Sequence, residues 1–154
     1  MSWSKFQSDL EDGELGEKKF ANWMLTRGWM AKHFNKNNEY DILFKKDNKS
    51  ITFEIKTDRW EFFHNKITNN MIIETFCRGK ASGISVSRAN YFAYYYPHHE
   101  LVYIIGLDNL RKSIIENGHL FKRIEGFGDD FSVNGYICNR FSVENLFKVY
   151  KIKQ

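Results

Sequence analysis

The most constraining feature of the sequence is a pair of short apolar runs, residues 40–44 and 51–57, separated by a polar stretch. The second run alternates apolar with polar side chains, and this period of two predicts a β-strand with one buried face. The intervening residues 45–50 carry the polar side chains typical of a turn. The two runs are therefore predicted to pair as an antiparallel hairpin.

The expected register of this hairpin brings two acidic residues together. With a loop over residues 46–49, Lys45 pairs with Ser50, and counting back along the ladder places Asp41 directly opposite Glu54. Opposed side chains on one face have Cβ atoms about 4.5–5.5 Å apart. Two carboxylates at that distance repel each other, and a divalent cation between them would remove the repulsion. Mg²⁺ is the natural candidate, because it prefers carboxylate and water oxygens.

Lys56 lies on the same strand face as Glu54, two residues further along. A lysine ammonium there can act as a point charge beside a phosphate or an attacking water. The alternative is that Glu54 and Lys56 form an ordinary solvated charge pair on an exposed strand. The short motif alone does not decide between these two interpretations.

This arrangement resembles the PD-(D/E)xK nuclease superfamily, which has the restriction-endonuclease-like fold. Asp41 matches the first acid of the family motif and Glu54-Ile55-Lys56 matches its second half, while Tyr40 stands where the family often has proline. The resemblance implies that Asp41, Glu54 and the main-chain carbonyl of Ile55 bind Mg²⁺, for which Mn²⁺ could substitute. It also implies that Lys56 orients the attacking water.

Residues 9–28 are predicted to form a helix, with acidic residues at its start, basic residues after them and Gly28 at its end. One face of this helix should pack against the sheet, namely positions 13, 16, 17, 20, 24 and 27. Glu17 lies in that face, where a carboxylate is costly unless it is paired or metal-bound. Glu17 either pairs with Lys18 or another nearby lysine, or it is a third acid of the site.

The order of helical Glu, strand Asp and strand Glu-x-Lys resembles that of archaeal Holliday junction resolvases in the same superfamily, over roughly residues 9–60. This resemblance implies that Glu17 binds a second metal ion or its water shell, so that Glu17, Asp41 and Glu54 form a carboxylate cluster.

Further elements complete a predicted α/β fold. Strands are expected at 29–34, 68–76, 91–96, 101–105, 135–138 and 147–150. A helical turn is expected at 87–90 with Ser85 or Ser87 as its cap, a helix from Asp108 to about Asn117, and a short turn capped by Ser142. These elements predict a mixed central β-sheet flanked by helices, with a restriction-endonuclease-like core and extra C-terminal strands.

Residues 76–90 form a stretch with basic side chains and no acidic ones. Arg78, Lys80, Ser82 and Arg88 in this stretch are the predicted nucleic-acid-binding residues, because cations with Gly and Ser around them suit contacts to backbone phosphates. Arg78, Lys80 and Arg88 could equally be plain surface residues.

Residues 70–90 also resemble a segment of small phage-encoded nuclease-like proteins of the same superfamily. The similar features are an acid-bearing strand, a Gly-Lys turn, Ser-Gly-Ile, and Ser-x-Ala-Asn before an aromatic strand. Glu74 is then either a fourth acid near the metal or a solvent-facing strand residue, and both interpretations stay open.

Length and composition narrow the class of protein. A chain of 154 residues with 42% hydrophobic and 17% aromatic residues predicts a single globular domain over residues 1–154. No apolar run approaches the roughly 18 residues of a membrane span, and the start of the chain has no signal-peptide core. Cys77 and Cys138 are isolated, so reduced thiols and a cytoplasmic, intracellular location are expected.

The sequence as a whole predicts a Mg²⁺-dependent DNA endonuclease that hydrolyses phosphodiester bonds. Recognition should be structure-selective or non-specific, because no base-reading motif is visible and a net charge of +4 only permits nucleic-acid binding. A homodimer is a further expectation from the resemblance to resolvases. The alternatives are a catalytically silent nucleic-acid-binding module on the same fold, or an exonuclease or restriction-type enzyme; DNA and RNA are not distinguished.

Overall fold

The computed structural model describes residues 3–34, 39–58, 69–127 and 131–153, with side chains from residue 14 onward. The helices are α1 (Trp3–Thr26), α2 (Leu107–Glu116) and α3 (Arg140–Val143). The strands are β1 (Met30–Phe34), β2 (Ile42–Lys46), β3 (Lys49–Thr57), β4 (Asn70–Cys77), β5 (Lys80–Ala81), β6 (Tyr91–Tyr96), β7 (Leu101–Gly106), β8 (Lys122–Phe127), β9 (Val133–Asn139) and β10 (Lys148–Lys151).

Six strands form the main sheet in the order β1-β2-β3-β6-β7-β10. The first three make an antiparallel meander, and β3 then pairs with β6 in parallel, whereas β6, β7 and β10 pair in antiparallel fashion. The sheet is therefore mixed and is flanked by helices, which confirms the predicted fold class.

Helix α1 covers one face of this sheet. Phe20 is fully buried and its ring lies 5.0 Å from that of Phe53 and 5.9 Å from that of Phe44. Gly16 is buried because the helix comes very close to the end of β3: a Cβ atom at this position would lie 2.0 Å from Thr57 Oγ1. Positions 16, 20 and 24 of the predicted packing face are thus buried against the sheet, whereas Arg27 is exposed, and position 13 lies outside the residues whose side chains are described.

The bounds of α1 differ from the prediction at its start and agree at its end. The helix begins at Trp3, well before residue 9, and residues 3–8 contain no glycine or proline that would interrupt it. Gly28 ends the helix with φ +89°, while Gly28 N donates to Leu25 O and Trp29 N donates to Met24 O, both at 3.0 Å. This is a Schellman motif. None of the helices in the described part of the chain is long and apolar enough to cross a membrane.

A second, four-stranded antiparallel sheet has the order β5-β4-β9-β8. Fully buried Met71 and Ile73 from β4 pack with Tyr96 and Tyr103 of the main sheet, on the face opposite α1. Strand β8 was not predicted. It is an edge strand whose Lys122, Arg123 and Glu125 are exposed, so the apolar alternation that marks a buried strand is weak there.

Three predicted local features are corrected by the structure. The helical turn is a 3-10 turn at Gly83–Ser85 and not at 87–90, because Arg88 N donates to Glu39 O and Asn90 N donates to Thr52 O, which holds these residues extended. Neither Ser85 nor Ser87 caps a helix there.

The other two corrections concern helix caps. Helix α2 starts at Leu107 after Gly106, so Asp108 lies inside the first turn, where it accepts a hydrogen bond from Arg111 at 2.9 Å. The short helix α3 is capped by Asn139, whose side chain accepts a hydrogen bond from Phe141 N at 2.9 Å. Ser142 is within α3.

Replacing Phe20 by alanine should lower the free energy of unfolding by about 3–5 kcal/mol, because a fully buried aromatic ring is lost between α1 and the sheet. Leu25→Ala on the same helix is the matched control. Leu25 is 55% exposed, so that substitution should change stability by less than about 0.5 kcal/mol. Urea denaturation of both variants measures the difference, and equal losses would show that α1 does not pack as described.

Candidate active site

The β2–β3 hairpin brings Asp41 and Glu54 together. Its ladder pairs Lys45 with Ser50 and Ile42 with Phe53, so the predicted register is confirmed. Asp41 N extends this ladder by donating to the carbonyl oxygen of Phe53 at 2.8 Å. The next position along the two strands therefore sets Asp41 against Glu54, as counted from the sequence.

Glu54 and Lys56 lie on the face of the main sheet that points away from α1. Phe53 and Ile55 alternate with them and are buried under the helix. The second sheet covers the neighbouring part of this face, where Tyr94 is paired with Lys56 along the parallel β3–β6 ladder and is 5% exposed. The acidic pair thus lies beside an apolar core.

Asp41 is held by the strand that carries its partner. Its Oδ2 atom accepts a hydrogen bond of 2.6 Å from the main-chain N–H of Ile55. Burial raises the pKa of the Asp41 carboxyl above its usual value, while this hydrogen bond and the charge of Lys56 act in the opposite direction. This hydrogen bond orients the carboxylate of Asp41 toward β3, where Ile55 lies between Glu54 and Lys56.

Glu54 shows the strongest perturbation in this group. Its pKa is raised to about 7, first by burial and then by the negative charge of Asp41, with a smaller contribution from Glu74. Lys56 and a hydrogen bond from the Ser87 side chain lower it, but they do not offset the other effects. The ionised forms of the two carboxylates are therefore only partly compensated by Lys56, and a cation bound between them would stabilise their negative charge.

Glu74, whose role the sequence leaves open, reaches the site from the second sheet. Its Oε1 atom lies 4.0 Å from Lys56 Nζ, and its side chain is 21% exposed against 36% for that of Lys56. Glu74 also contributes to the raised pKa of Glu54. The structure therefore supports the interpretation of Glu74 as an acid of the site and not as a solvent-facing residue.

Ser87 belongs to the site and was considered from the sequence only as a helix cap. It is 3% exposed, its hydroxyl donates to the carbonyl oxygen of Glu39 at 3.2 Å, and its side chain is among the groups that lower the pKa of Glu54. The available sequence signal was the Ser-x-Ala-Asn segment before strand β6. That segment does not reveal the hydrogen bond of Ser87 to Glu39 or its effect on Glu54, because these residues are distant in sequence.

Glu17 is half-buried on α1, next to Gly16, which contacts Thr57 at the end of β3. The helix lies on the face of the sheet opposite Asp41 and Glu54. Among the described residues, no group of three or more His, Cys, Asp or Glu side chains has an arrangement that could hold a metal ion. The predicted cluster of Glu17, Asp41 and Glu54 is therefore not formed, and the structure brings together the pair Asp41–Glu54.

The donor set of this pair still fits a hard divalent cation. Two adjacent carboxylates with raised pKa values would be relieved of desolvation and repulsion by Mg²⁺ or Mn²⁺. Mg²⁺ commonly uses one or two carboxylates and completes its shell with water and substrate oxygens, so a third carboxylate is not required. A role for the Ile55 carbonyl stays a prediction.

The predicted nucleic-acid-binding residues occupy different environments. Arg78 and Lys80 are exposed at the turn between β4 and β5. The hydroxyl of Ser82 is buried and makes no hydrogen bond within the described ranges, so this side chain is not presented to a phosphate. Arg88 directly follows Ser87 and is exposed. It lines a cleft of about 720 Å³, to which Asn90 and Asn109 also contribute.

No protein-family model matches the chain, and no curated protein matches its sequence. The solved structure of a bacterial homing endonuclease, I-Ssp6803I, is similar with a TM-score of 0.48 and 16% sequence identity. The similarity covers 62% of this chain and 67% of that chain. Function therefore has to be inferred from the residues of this chain itself.

Metal-free protein should lose stability as the pH rises from about 4.5 to about 7. In this window Glu54 is protonated in the folded state and ionised in the unfolded chain, so the folded state binds more protons. The loss should total roughly 1–3 kcal/mol and level off above about pH 7.

Glu54→Gln should lack this component, because an amide does not ionise. Urea denaturation in EDTA at a series of pH values measures the effect, with Glu144→Gln at an exposed position as the control. Parallel stability curves for wild type and Glu54→Gln would contradict the raised pKa.

Proposed function

We propose that this protein is a metal-dependent DNA endonuclease. The observation that carries the proposal is the half-buried Asp41–Glu54 pair, set side by side by the hairpin register, with Lys56 on the same face. A protein gains no stability from two uncompensated carboxylates beside a core. Strongly perturbed acids next to a lysine are typical of a site whose chemistry requires them.

Asp41 and Glu54 would hold Mg²⁺ or Mn²⁺ through their carboxylate oxygens. When bound, the metal would polarise the scissile phosphate and lower the pKa of a water molecule. The Ile55 N–H keeps the Asp41 carboxylate oriented, and the resemblance to PD-(D/E)xK nucleases adds the Ile55 carbonyl as a further ligand.

Lys56 would orient the attacking water and stabilise the negative charge that develops on the phosphate. Its ammonium group is within 4.0 Å of Glu74, and its charge also acts on Asp41 and Glu54. The negative charges of the three acids attract this ammonium group, so Glu74 would help to place Lys56.

The proposed substrate is a DNA backbone recognised without reading of bases. Arg78, Lys80 and Arg88 are exposed and would contact phosphates. Structure-selective cutting of branched DNA by a homodimer is the form suggested by the resemblance to resolvases. Binding without cutting would instead favour a silent nucleic-acid-binding module.

Purified protein should cleave DNA in Mg²⁺ or Mn²⁺ and should not do so in EDTA. A panel of linear, single-stranded, flapped and four-way DNA, with one matched RNA, shows which substrate is preferred. Lys56→Ala and Glu54→Gln should each lower the cleavage rate by at least about 100-fold, because transition-state stabilisation or metal binding is lost.

Lys45→Ala is the matched control for these substitutions. It removes an exposed lysine from the same hairpin, so cleavage should stay near that of wild type. Full activity of Glu54→Gln would rule out the proposed metal site. Cleavage that persists in EDTA would rule out metal dependence.

Neutralising Arg78, Lys80 or Arg88 should weaken DNA binding about equally for every sequence. Each lost phosphate contact should also reduce the slope of log affinity against log salt by about 0.9. The measurement is a salt series in the Glu54→Gln background, which binds without cutting. Lys112→Ala is the control, because Lys112 is already paired with Glu116 at 3.8 Å. Unchanged slopes would reassign the three residues to ordinary surface.

A further inference from the structure

The cleft that Arg88 lines lies at the end of the main sheet where β3 and β6 begin and β7 ends. Its wall includes Ser50 and Ile51 near the start of β3, Asn90 just before β6, and Asn109 in the first turn of α2. Its volume of about 720 Å³ falls within the range of about 300–1,000 Å³ found for ligand sites. The cleft is therefore large enough to take a nucleotide-sized group.

The cleft lies close to the acidic pair. Arg88 N donates to the carbonyl oxygen of Glu39 at 2.7 Å, and Glu39 lies two residues before Asp41. Along β3, Ile51 precedes Glu54 by three residues, which corresponds to about 10 Å at roughly 3.3 Å per residue. One strand of B-DNA advances about 3.4 Å per nucleotide. A DNA strand with its scissile phosphate at the pair would therefore reach the cleft about three nucleotides away.

Hydrogen bonds fix the main chain on both sides of Arg88. After it, the Asn90 side chain accepts a hydrogen bond from Thr52 N at 2.9 Å, which ties the segment to β3. Before it, the carbonyl oxygen of Ser87 accepts a hydrogen bond from the Arg111 guanidinium at 2.5 Å, which ties the segment to α2. The Arg88 side chain itself is exposed. Its guanidinium thus extends from a wall that is already ordered, which lowers the entropic cost of binding.

The polar groups of the cleft suit an anion with several acceptor oxygens. Arg88 and Asn109 are exposed and bring a guanidinium and an amide, both of which can donate hydrogen bonds. Among the described residues that line the cleft, the charged ones are these: Arg88, Arg111 and Asp108. Asp108 accepts a hydrogen bond from Arg111 at 2.9 Å, so positive charge prevails in the lining. A phosphate fits such a donor-rich, cationic cleft.

We propose that this cleft is a subsite for the DNA backbone, in which Arg88 and Asn109 bind one phosphate about three nucleotides from the scissile bond. The inference rests on the proposed nuclease function and deepens it, because it assigns a course to the bound strand. That course runs over Asp41 and Glu54 and then along the start of β3 into the cleft. A phosphate contact of this kind fixes the register of the DNA without reading its bases.

End-labelled duplexes with one methylphosphonate linkage test the subsite, because this linkage removes the negative charge of a single phosphate. Cleavage by limiting wild-type protein in Mg²⁺ should be weakened at two positions. One is the modified linkage itself, and the other is a bond about three nucleotides from it on one side. The effect at the distant bond should be about 10-fold, corresponding to the loss of one charge-assisted hydrogen bond.

Arg88→Gln should lower cleavage of unmodified DNA by a similar factor and abolish the effect at the distant bond, while the effect at the modified linkage stays. Asn109→Ala should reduce the distant effect in part. Arg123→Gln is the matched control, because Arg123 is an exposed arginine on the edge strand β8 and should leave the pattern unchanged. A distant effect that is absent in wild type, or that Arg88→Gln leaves intact, would overturn the inference.

DNA binding in the Glu54→Gln background gives a measurement that does not depend on cleavage. Arg88→Gln should weaken affinity by about 10-fold. Asp108→Asn should instead strengthen it by about two- to fivefold, because a negative charge leaves the cleft. Unchanged affinity in both variants would contradict the subsite. Saturable binding of inorganic phosphate that Arg88→Gln abolishes, without a distant effect on DNA cleavage, would make the cleft a site for free phosphate and overturn the assignment to DNA.

These outcomes are separable from failure of the proposed function. If the protein binds DNA with the expected dependence on Arg88 and Asp108 but wild type does not cleave it, the nuclease proposal fails and the DNA-binding cleft stands. If wild type cleaves DNA and the cleft variants match it, only the subsite is wrong. If wild type neither binds nor cleaves DNA, both proposals fail.

Discussion

Electrostatic repulsion between Asp41 and Glu54 is the constraint around which the site is organised. The antiparallel register of β2 and β3 places the two side chains opposite each other, because each position on one strand has a single opposite position on the other. A slip of one residue would send one carboxylate to the face covered by α1. The buried phenylalanines and isoleucines of that face therefore secure the position of the charges on the other.

Different parts of the structure counter this repulsion. The Ile55 N–H, the Lys56 ammonium and the Ser87 hydroxyl each stabilise negative charge on the pair. The first two groups come from β3, and the serine comes from the segment before β6. Arg111 of α2 donates hydrogen bonds to the carbonyl oxygens of Ile84 and Ser87 in that segment. Burial nevertheless prevails, since the pKa of Glu54 stays near 7. The negative charge of the two carboxylates is thus only partly compensated in the folded protein, and a bound divalent cation could compensate the rest.

Local features of this fold were predictable from the sequence, and long-range ones were not. The hairpin register and the end of α1 at Gly28 follow from patterns within a few residues, and both are confirmed. The contacts of Glu74 and Ser87 depend on how β4 and β6 pack against β3, which no local pattern encodes. The cluster of Glu17 with Asp41 and Glu54 is not formed, because the face of the sheet that the helix covers is a tertiary property that the helical pattern does not determine.

The parallel pairing of β3 with β6 has a consequence for the order of folding. The hairpin can form early from neighbouring residues, whereas contacts such as Thr52 to Asn90 join residues 38 positions apart and require loop closure first. Asp41 and Glu54 can therefore come together before β6 docks, whereas Ser87, which lies shortly before β6 in the chain, reaches Glu39 only when the segment before β6 is in place. A nascent chain that ends before β6 therefore contains Asp41 and Glu54 but lacks the β3–β6 pairing that completes the sheet around them.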